Sequence, residues 1–132
     1  MKKVIATSFA DPADVRRFKR CKSEGKSDLE CFRVGDNGIG CWGDDTTAPL
    51  PMVALPPEEM REKFGQVAIA RGARVTVWLV SNPSRIVVAE VRDRMPEVRH
   101  RKNGAGLDMN PELCDRLGVR IPARVSVEWE WA

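Results

Sequence analysis

Two groups of acidic side chains in this sequence could take part in proton chemistry. Asp93 and Asp108 flank a segment that is rich in Arg and Lys, and Asp44 and Asp45 are adjacent in a glycine-flanked stretch. A carboxylate that is partly withdrawn from water gains a raised pKa and can act as a general acid. Capping of turns is the simpler explanation on position alone, so the elements that carry these residues have to be considered.

Composition and charge describe an ordinary globular domain. The 132 residues are 42% hydrophobic and 31% charged, which suffices for a single core. The net charge of +3 is too small to favour a nucleic-acid partner. No apolar run approaches membrane-spanning length, and the amino terminus lacks a signal-peptide core. We therefore expect one domain over residues 1–132, without a membrane span, which is cytoplasmic unless another route releases it.

The four cysteines, Cys21, Cys31, Cys41 and Cys114, contain no CxxC element and are accompanied by a single histidine. This spacing disfavours a zinc site. A disulfide among the first three and a set of reduced thiols are both compatible with the sequence. Because no nucleotide-binding loop, hydrolase triad or metal-ligand set appears either, we predict no cofactor and no metal.

The first half of the chain predicts short elements around a long loop. We expect a strand over residues 3–9, a helix that begins at Pro12 and a second short helix after Ser27. Residues 35–51 contain glycines without a strand or helix period, so they predict an ordered loop. A further helix should cover residues 57–64.

The second half is predominantly β. Alternating residues predict a hairpin of strands over 73–80 and 85–93, and a closing strand over 123–131. A helix should begin at Asn110 and end at Gly118. The fold class is therefore mainly β, with short helices on the connections.

Strand alternation also predicts the direction of Asp93. In a regular strand, successive side chains point to opposite faces, so Asp93 should share a face with Val91. Arg92 and Arg94 would share the other face and need not be its ion-pair partners. A carboxylate at this strand end, facing a groove, would suit a general acid.

An ordered set of motifs resembles the double-psi β-barrel domains of the rare lipoprotein A, expansin and barwin-like type. It consists of the turn Asp93-Arg94-Met95-Pro96, the stretch Gly106-Leu107-Asp108-Met109-Asn110, the helix end Leu117-Gly118 and the strand Val125-Ser126-Val127. These motifs follow the order of the family within residues 65–131, about half of the chain. The resemblance implies a six-stranded double-psi β-barrel with its core in 65–131. Residues 1–50 would be an N-terminal elaboration of a bacteriophage or prophage version.

The resemblance implies an action on peptidoglycan or another cell-wall glycan. In the lytic transglycosylases of this type, the residue that matches Asp93 protonates the glycosidic oxygen and then accepts the proton of the sugar's 6-hydroxyl. A hydrolytic inverting route would need a second carboxylate about 6.5–9.5 Å away. The candidate catalytic residues are Asp93, Asp45 and Asp108.

Five side chains are candidates for substrate binding, because Trp stacks on sugar rings and polar groups bind hydroxyls or carboxylates. They are Asp44, Trp42, Trp78, Arg94 and Asn103. For the basic stretch 99–104, a solvated hairpin tip is the alternative to an anion site for phosphate or muropeptide carboxylates. For Asp44 and Asp45, a turn-forming role is the alternative.

Two departures from the family favour a rival interpretation. Met95 replaces a glycine of the turn, and the histidine of the rare lipoprotein A proteins has no counterpart in residues 52–60, since His100 lies after Asp93. The rival is a non-catalytic glycan-binding or structural module, for instance on a phage tail or virion. In either case the protein would be associated with a virion or released to the bacterial cell wall.

Overall fold

The computed structural model describes residues 1–101 and 103–132. Within them it contains six β-strands and four α-helices, besides two short 3-10 turns. The strands are β1 (Lys2–Ser8), β2 (Met52–Leu55), β3 (Arg74–Leu79), β4 (Asn82–Arg94), β5 (Leu107–Met109) and β6 (Arg124–Trp131). The helices are α1 (Pro12–Ser23), α2 (Asp28–Phe32), α3 (Pro57–Phe64) and α4 (Pro111–Leu117). None of these helices is long and apolar enough to cross a membrane.

The strands close into one barrel in the order β1-β5-β2-β4-β3-β6. The pairs β1–β5 and β2–β4 are parallel, and the other four pairs are antiparallel. Exchanging β1, β2 and β3 with β4, β5 and β6 reproduces the same order and the same directions. The barrel therefore consists of two equivalent halves, β1–β3 and β4–β6. The middle strand of each half pairs in parallel with the first strand of the other half, β2 with β4 and β5 with β1. This double crossing is the topology of a double-psi β-barrel, and it confirms the predicted fold class.

The connecting helices repeat between the two halves. α3 follows β2, and α4 follows the equivalent strand β5. Both helices have a proline in the first turn and end at a glycine in the left-handed conformation, Gly65 at φ 79° and Gly118 at φ 75°. Proline is pre-set for a helix start and glycine for this ending, so the sequence itself defines both helices.

The barrel interior is filled by alternate side chains of its strands. On β6, Val127 and Trp129 are buried whereas Ser126 and Glu130 are exposed, as the alternation predicts. The ring centroids of Trp129 and Trp131 lie 5.3 Å apart. The Trp131 ring also packs edge-on against Phe64 of α3. Trp129 is fully buried, so its large apolar ring contributes to the core.

The barrel extends beyond residues 65–131, because β1 and β2 supply two of its six walls. α1, α2 and the loop 35–51 form an addition to it. The helices α1 and α2 pack on each other through a separate apolar cluster and a disulfide between Cys21 and Cys31. Of the two alternatives for the cysteines, the structure thus contains the disulfide. Cys41 and Cys114 carry free thiols.

Candidate functional site

A β-bulge at Arg92 decides the direction of Asp93. Val53 of β2 pairs with Val91, but the next residue, Ala54, pairs with Asp93. Arg92 is therefore the extra residue, and the alternation of β4 is interrupted there. Asp93 lies with Ala54 on the outer side of the barrel, whereas Val91 points into the core. The prediction that Asp93 shares a face with Val91 is wrong for this reason.

The bulge places Asp93 in a row that crosses four neighbouring strands. Thr7 of β1 pairs with Asp108 of β5, Asp108 with Ala54 of β2, and Ala54 with Asp93 of β4. Paired residues on adjacent strands point to the same side. Since two strand spacings separate Asp93 from Asp108, their Cα atoms are roughly 10 Å apart. The structure thus brings these two predicted carboxylates onto one surface.

The carboxylate of Asp93 is held by the loop 35–51. Its Oδ1 accepts the backbone N–H groups of Cys41 and Arg94, each at 2.8 Å. Gly40 allows this approach, because a Cβ at that position would lie 2.2 Å from the carbonyl oxygen of Arg92. Both N–H groups reach the same oxygen, and the thiol of Cys41 also hydrogen-bonds the carboxylate.

Burial is the largest influence on Asp93 and raises its pKa. The backbone N–H bonds from Arg94 and Cys41 lower the pKa, and the negative charge of Asp36 raises it further. A raised pKa keeps a larger fraction of this carboxyl group protonated near neutral pH, as a general acid requires.

Asp108 is the more deeply withdrawn of the two carboxylates. Burial raises its pKa to about 6, and the charge of Asp93 adds to the rise. The hydroxyl group of Thr7 donates a hydrogen bond to Asp108 and lowers the pKa.

An open cleft of about 730 Å³ adjoins Asp93, and we call it the Asp93 cleft. Exposed apolar side chains line it, among them Phe32 and Ile39, together with Asp36. Asp36 accepts the backbone N–H groups of Ala10 at 3.1 Å and Gly38 at 2.8 Å. This carboxylate shapes the loop while its charge acts on Asp93.

The adjacent aspartates of the loop are engaged elsewhere. Asp44 forms hydrogen bonds to Arg71 at 2.8 and 3.0 Å and an ion pair with Arg92 at 3.2 Å. The bond from Arg71 is the main reason that the pKa of Asp44 is lowered. Asp45 accepts both the N–H and the hydroxyl group of Thr47, which lower its pKa. Neither carboxylate lines the Asp93 cleft.

The predicted binding residues are dispersed. Trp42 packs half-buried against the barrel core, and Trp78 lies on β3 near the hairpin turn, at the end of the β3–β4 pair away from Asp93. Asn103 accepts the N–H of Ala105 at 3.0 Å and so supports its own turn. Arg94 is exposed beside Asp93. Of these candidates, only Arg94 adjoins the carboxylate row.

The departures from the family have structural counterparts. The Met95 side chain is buried in a small cluster with Ala54 and Ala105, and it does not line the Asp93 cleft.

Cys41 lies beside Asp93, a position that sequence reasoning missed. Burial and the charge of Asp93 raise the pKa of its thiol to about 11, so the thiol stays protonated and is a poor nucleophile.

No protein-family model matches the chain, and no curated protein matches it. Among solved structures, the chain is similar to the crystal structure of the computationally designed msDPBB_sym2 protein. That similarity covers 96% of each chain at 18% identity with a TM-score of 0.39. The strand order and directions therefore define the class, a double-psi β-barrel that carries a row of carboxylates on its outer surface.

Proposed function

We propose that the protein cleaves cell-wall glycan strands in the manner of a peptidoglycan lytic transglycosylase, with Asp93 as the acid and base. One observation carries this proposal: Asp93 stands half-buried at the edge of an open cleft, with a raised pKa. The resemblance of the Asp93 turn to the family supplies the substrate class. A fold by itself hosts many functions, so the site has to support the activity.

The proposed reaction needs one carboxyl group for both halves of the cycle. Protonated Asp93 gives its proton to the glycosidic oxygen while the bond between that oxygen and the sugar C1 breaks. The oxygen of the sugar's own 6-hydroxyl forms a new bond to C1, and its proton passes to the Asp93 carboxylate. The cycle returns Asp93 to its protonated form and leaves an anhydro-sugar end.

Asp108 does not contact the substrate in this proposal. It lies in the same row but is absent from the residues that line the cleft, and Thr7 bonds one of its oxygens. Burial raises the pKa of Asp108 to about 6, so in mildly acid solution it is neutral and adds no negative charge to the row. A hydrolytic outcome, in which a second carboxylate activates water, is the alternative reaction at the same site.

A second candidate function is a non-catalytic glycan-binding or structural module of a phage tail or virion. The bonds from Cys41 and Arg94 to Oδ1 favour it, because a carboxylate that fastens a loop to a strand end has a sufficient structural reason to be present. In this case the barrel would present the cleft as a binding surface only.

Incubation with peptidoglycan sacculi separates the two candidates. We expect soluble anhydro-muropeptides in the mass spectrum, and we expect the Asp93→Asn variant to release none while it keeps the wild-type fold. Asparagine retains the acceptor oxygen for the two N–H groups, so loss of product would report on the proton. Products without an anhydro end would indicate hydrolysis. Wall binding without any product would contradict catalysis and leave the binding module.

A further inference from the structure

The turn after Asp93 separates two pockets of different character. On one side lies the Asp93 cleft, and on the other a pocket of about 430 Å³ that we call the basic pocket. The basic pocket is lined by Pro57, Arg94, Met95, Pro96, Glu97, Arg99 and His100. Pro96 lines both pockets, so one ligand that crosses this turn can occupy the two together.

The charges of the basic pocket leave Arg94 available. Glu97 already pairs with two guanidinium groups, those of Arg61 at 3.3 Å and Arg99 at 3.1 Å. Arg94 has no carboxylate partner within residues 1–101 and 103–132, and it is exposed. The pocket thus keeps an excess of positive charge. An exposed arginine beside an already neutralised pair can receive an anion without breaking an existing contact.

The Asp93 cleft has the opposite balance. Its lining contains the carboxyl groups of Asp36, of Asp93 and of Asp14, which pairs with Arg17, together with the guanidinium group of Arg33. An anionic substituent is therefore attracted more strongly to the basic pocket than to the cleft. The two pockets together impose an orientation on any ligand that carries a negative charge on one side.

We propose that the basic pocket binds a carboxylate that is carried by the glycan, and that Arg94 is its principal contact. The proposal rests on the proposed function, since it concerns the ligand of the same site. A guanidinium group binds a carboxylate through two parallel N–H bonds, which fixes position as well as charge. In a cell-wall glycan, the carboxylate has two sources, namely the lactyl group of a muramic acid ring that has lost its peptide and the peptide stem of a ring that still carries one.

Binding measurements in the Asp93→Asn background test this without cleavage. The three ligands are a neutral chitooligosaccharide, glycan strands stripped of peptide by an amidase, and peptide-bearing strands. We expect at least one of the acidic glycans to bind roughly 5–10-fold more tightly than the neutral one at low salt. The lactyl carboxyl group is bonded to the peptide until the amidase frees it, so a preference for stripped strands identifies the lactyl group as the source. A preference for peptide-bearing strands identifies the stem, and equal preference means that the pocket accepts a carboxylate from either source.

The substitution Arg94→Gln should remove this preference, so that the variant binds the acidic glycans no more tightly than the neutral oligosaccharide. Arg85→Gln is the matched control, because Arg85 is equally exposed on the same strand but lies near its other end. Equal affinity for neutral and acidic glycans, or a preference that survives Arg94→Gln, would overturn the inference while the proposed function stands. Binding to none of the three glycans would refute both.

Discussion

Burial of Asp108 couples the stability of the barrel to pH. Its pKa rises from 3.8 to about 6 on folding, so the folded state holds a proton that the unfolded chain has released between those values. The stabilisation is complete at low pH and is lost as the pH rises through about 6. Above that pH, the folded protein contains a charged carboxylate in a poorly solvated position.

The substitution Asp108→Asn should therefore stabilise the protein in alkaline solution. We expect a free energy of unfolding about 1–3 kcal/mol above wild type at pH 8, and a difference near zero at pH 4. Asparagine keeps an acceptor for the hydroxyl group of Thr7. Urea unfolding at the two pH values measures the effect, and Asp115→Asn on the exposed side of α4 is the control. A gain that is equal at both pH values would show that burial of charge is not its cause.

Sequence reasoning could reach Asp93 and Asp108 because the turn and strand around them form recognisable motifs. It could not place Asp93 on the correct face, since the extra residue at Arg92 carries no signal of its own. Thr7 and Cys41 were missed for a related reason. Both come from distant segments that meet the row only through strand pairing and loop docking, which a linear pattern does not show.

At the scale of elements, the disulfide holds α2 against α1. Cys21 and Cys31 are ten residues apart, and the small apolar cluster around them is separate from the barrel core. α2 is only five residues long, too short to be stable by itself. The bond therefore limits the freedom of the segment that supplies Phe32 to the Asp93 cleft.

The double substitution Cys21→Ser with Cys31→Ser should lower the free energy of unfolding by about 2–3 kcal/mol, because the unfolded chain loses a closed loop. Thermal or urea unfolding under oxidising conditions measures the loss. The wild type in a reducing agent should unfold like the variant, and the variant should not respond to the reducing agent.

The pairing itself is checked by alkylation of the unfolded protein. Without reduction, two thiols should react, those of Cys41 and Cys114, and prior reduction should expose all four. Four reactive thiols without reduction would mean that the bond does not form under the conditions used.

The helices were the elements best predicted from sequence. A proline in the first turn and a glycine at the end bound α3 and α4, and the structure agrees at both ends. The sequence does not predict the disulfide, because bonding depends on the distance between the thiols and on redox conditions rather than on their spacing in the chain. The loop 35–51 was identified by its glycines, but its docking onto β4 depends on the close approach at Gly40.

At the scale of the whole molecule, Asn110 joins three separate parts. Its Oδ1 accepts the N–H groups of Met52 at 2.9 Å and Leu113 at 3.0 Å. Its Nδ2 donates to the carbonyl oxygens of Thr46 at 3.1 Å and Leu50 at 2.9 Å. The side chain is fully buried, and thus it links β2, α4 and the end of the loop with every polar atom satisfied.

The substitution Asn110→Asp should destabilise the protein by about 2–4 kcal/mol at neutral pH. The carboxylate keeps the two N–H bonds but faces two carbonyl oxygens without a donor, in a position that excludes water. Asn82→Asp in the exposed hairpin is the matched control and should change the free energy of unfolding by less than about 0.5 kcal/mol. Equal effects of the two substitutions in urea unfolding would contradict the linking role of Asn110.

The barrel as a whole was predictable only through the ordered motifs. Alternation identified most strands, yet the parallel pairs β1–β5 and β2–β4 join segments that are far apart in the chain and have no local signature. For the same reason, the motifs placed the core in residues 65–131, although β1 and β2 are walls of the same barrel.

The position of β6 has a consequence for biosynthesis. Among the six barrel strands, β6 is the last along the chain, and it lies between β1 and β3. β1, the first of the six to be translated, has β5 as its other neighbour, and that strand begins only at Leu107. Both edges of β1 therefore stay open until most of these residues have been translated. Pairing between such distant segments is slow, and an unpaired apolar strand can associate with other chains. The barrel closes only after residues 124–131 have been translated. Of the six strands, β1 is therefore exposed for the longest time to association with other chains.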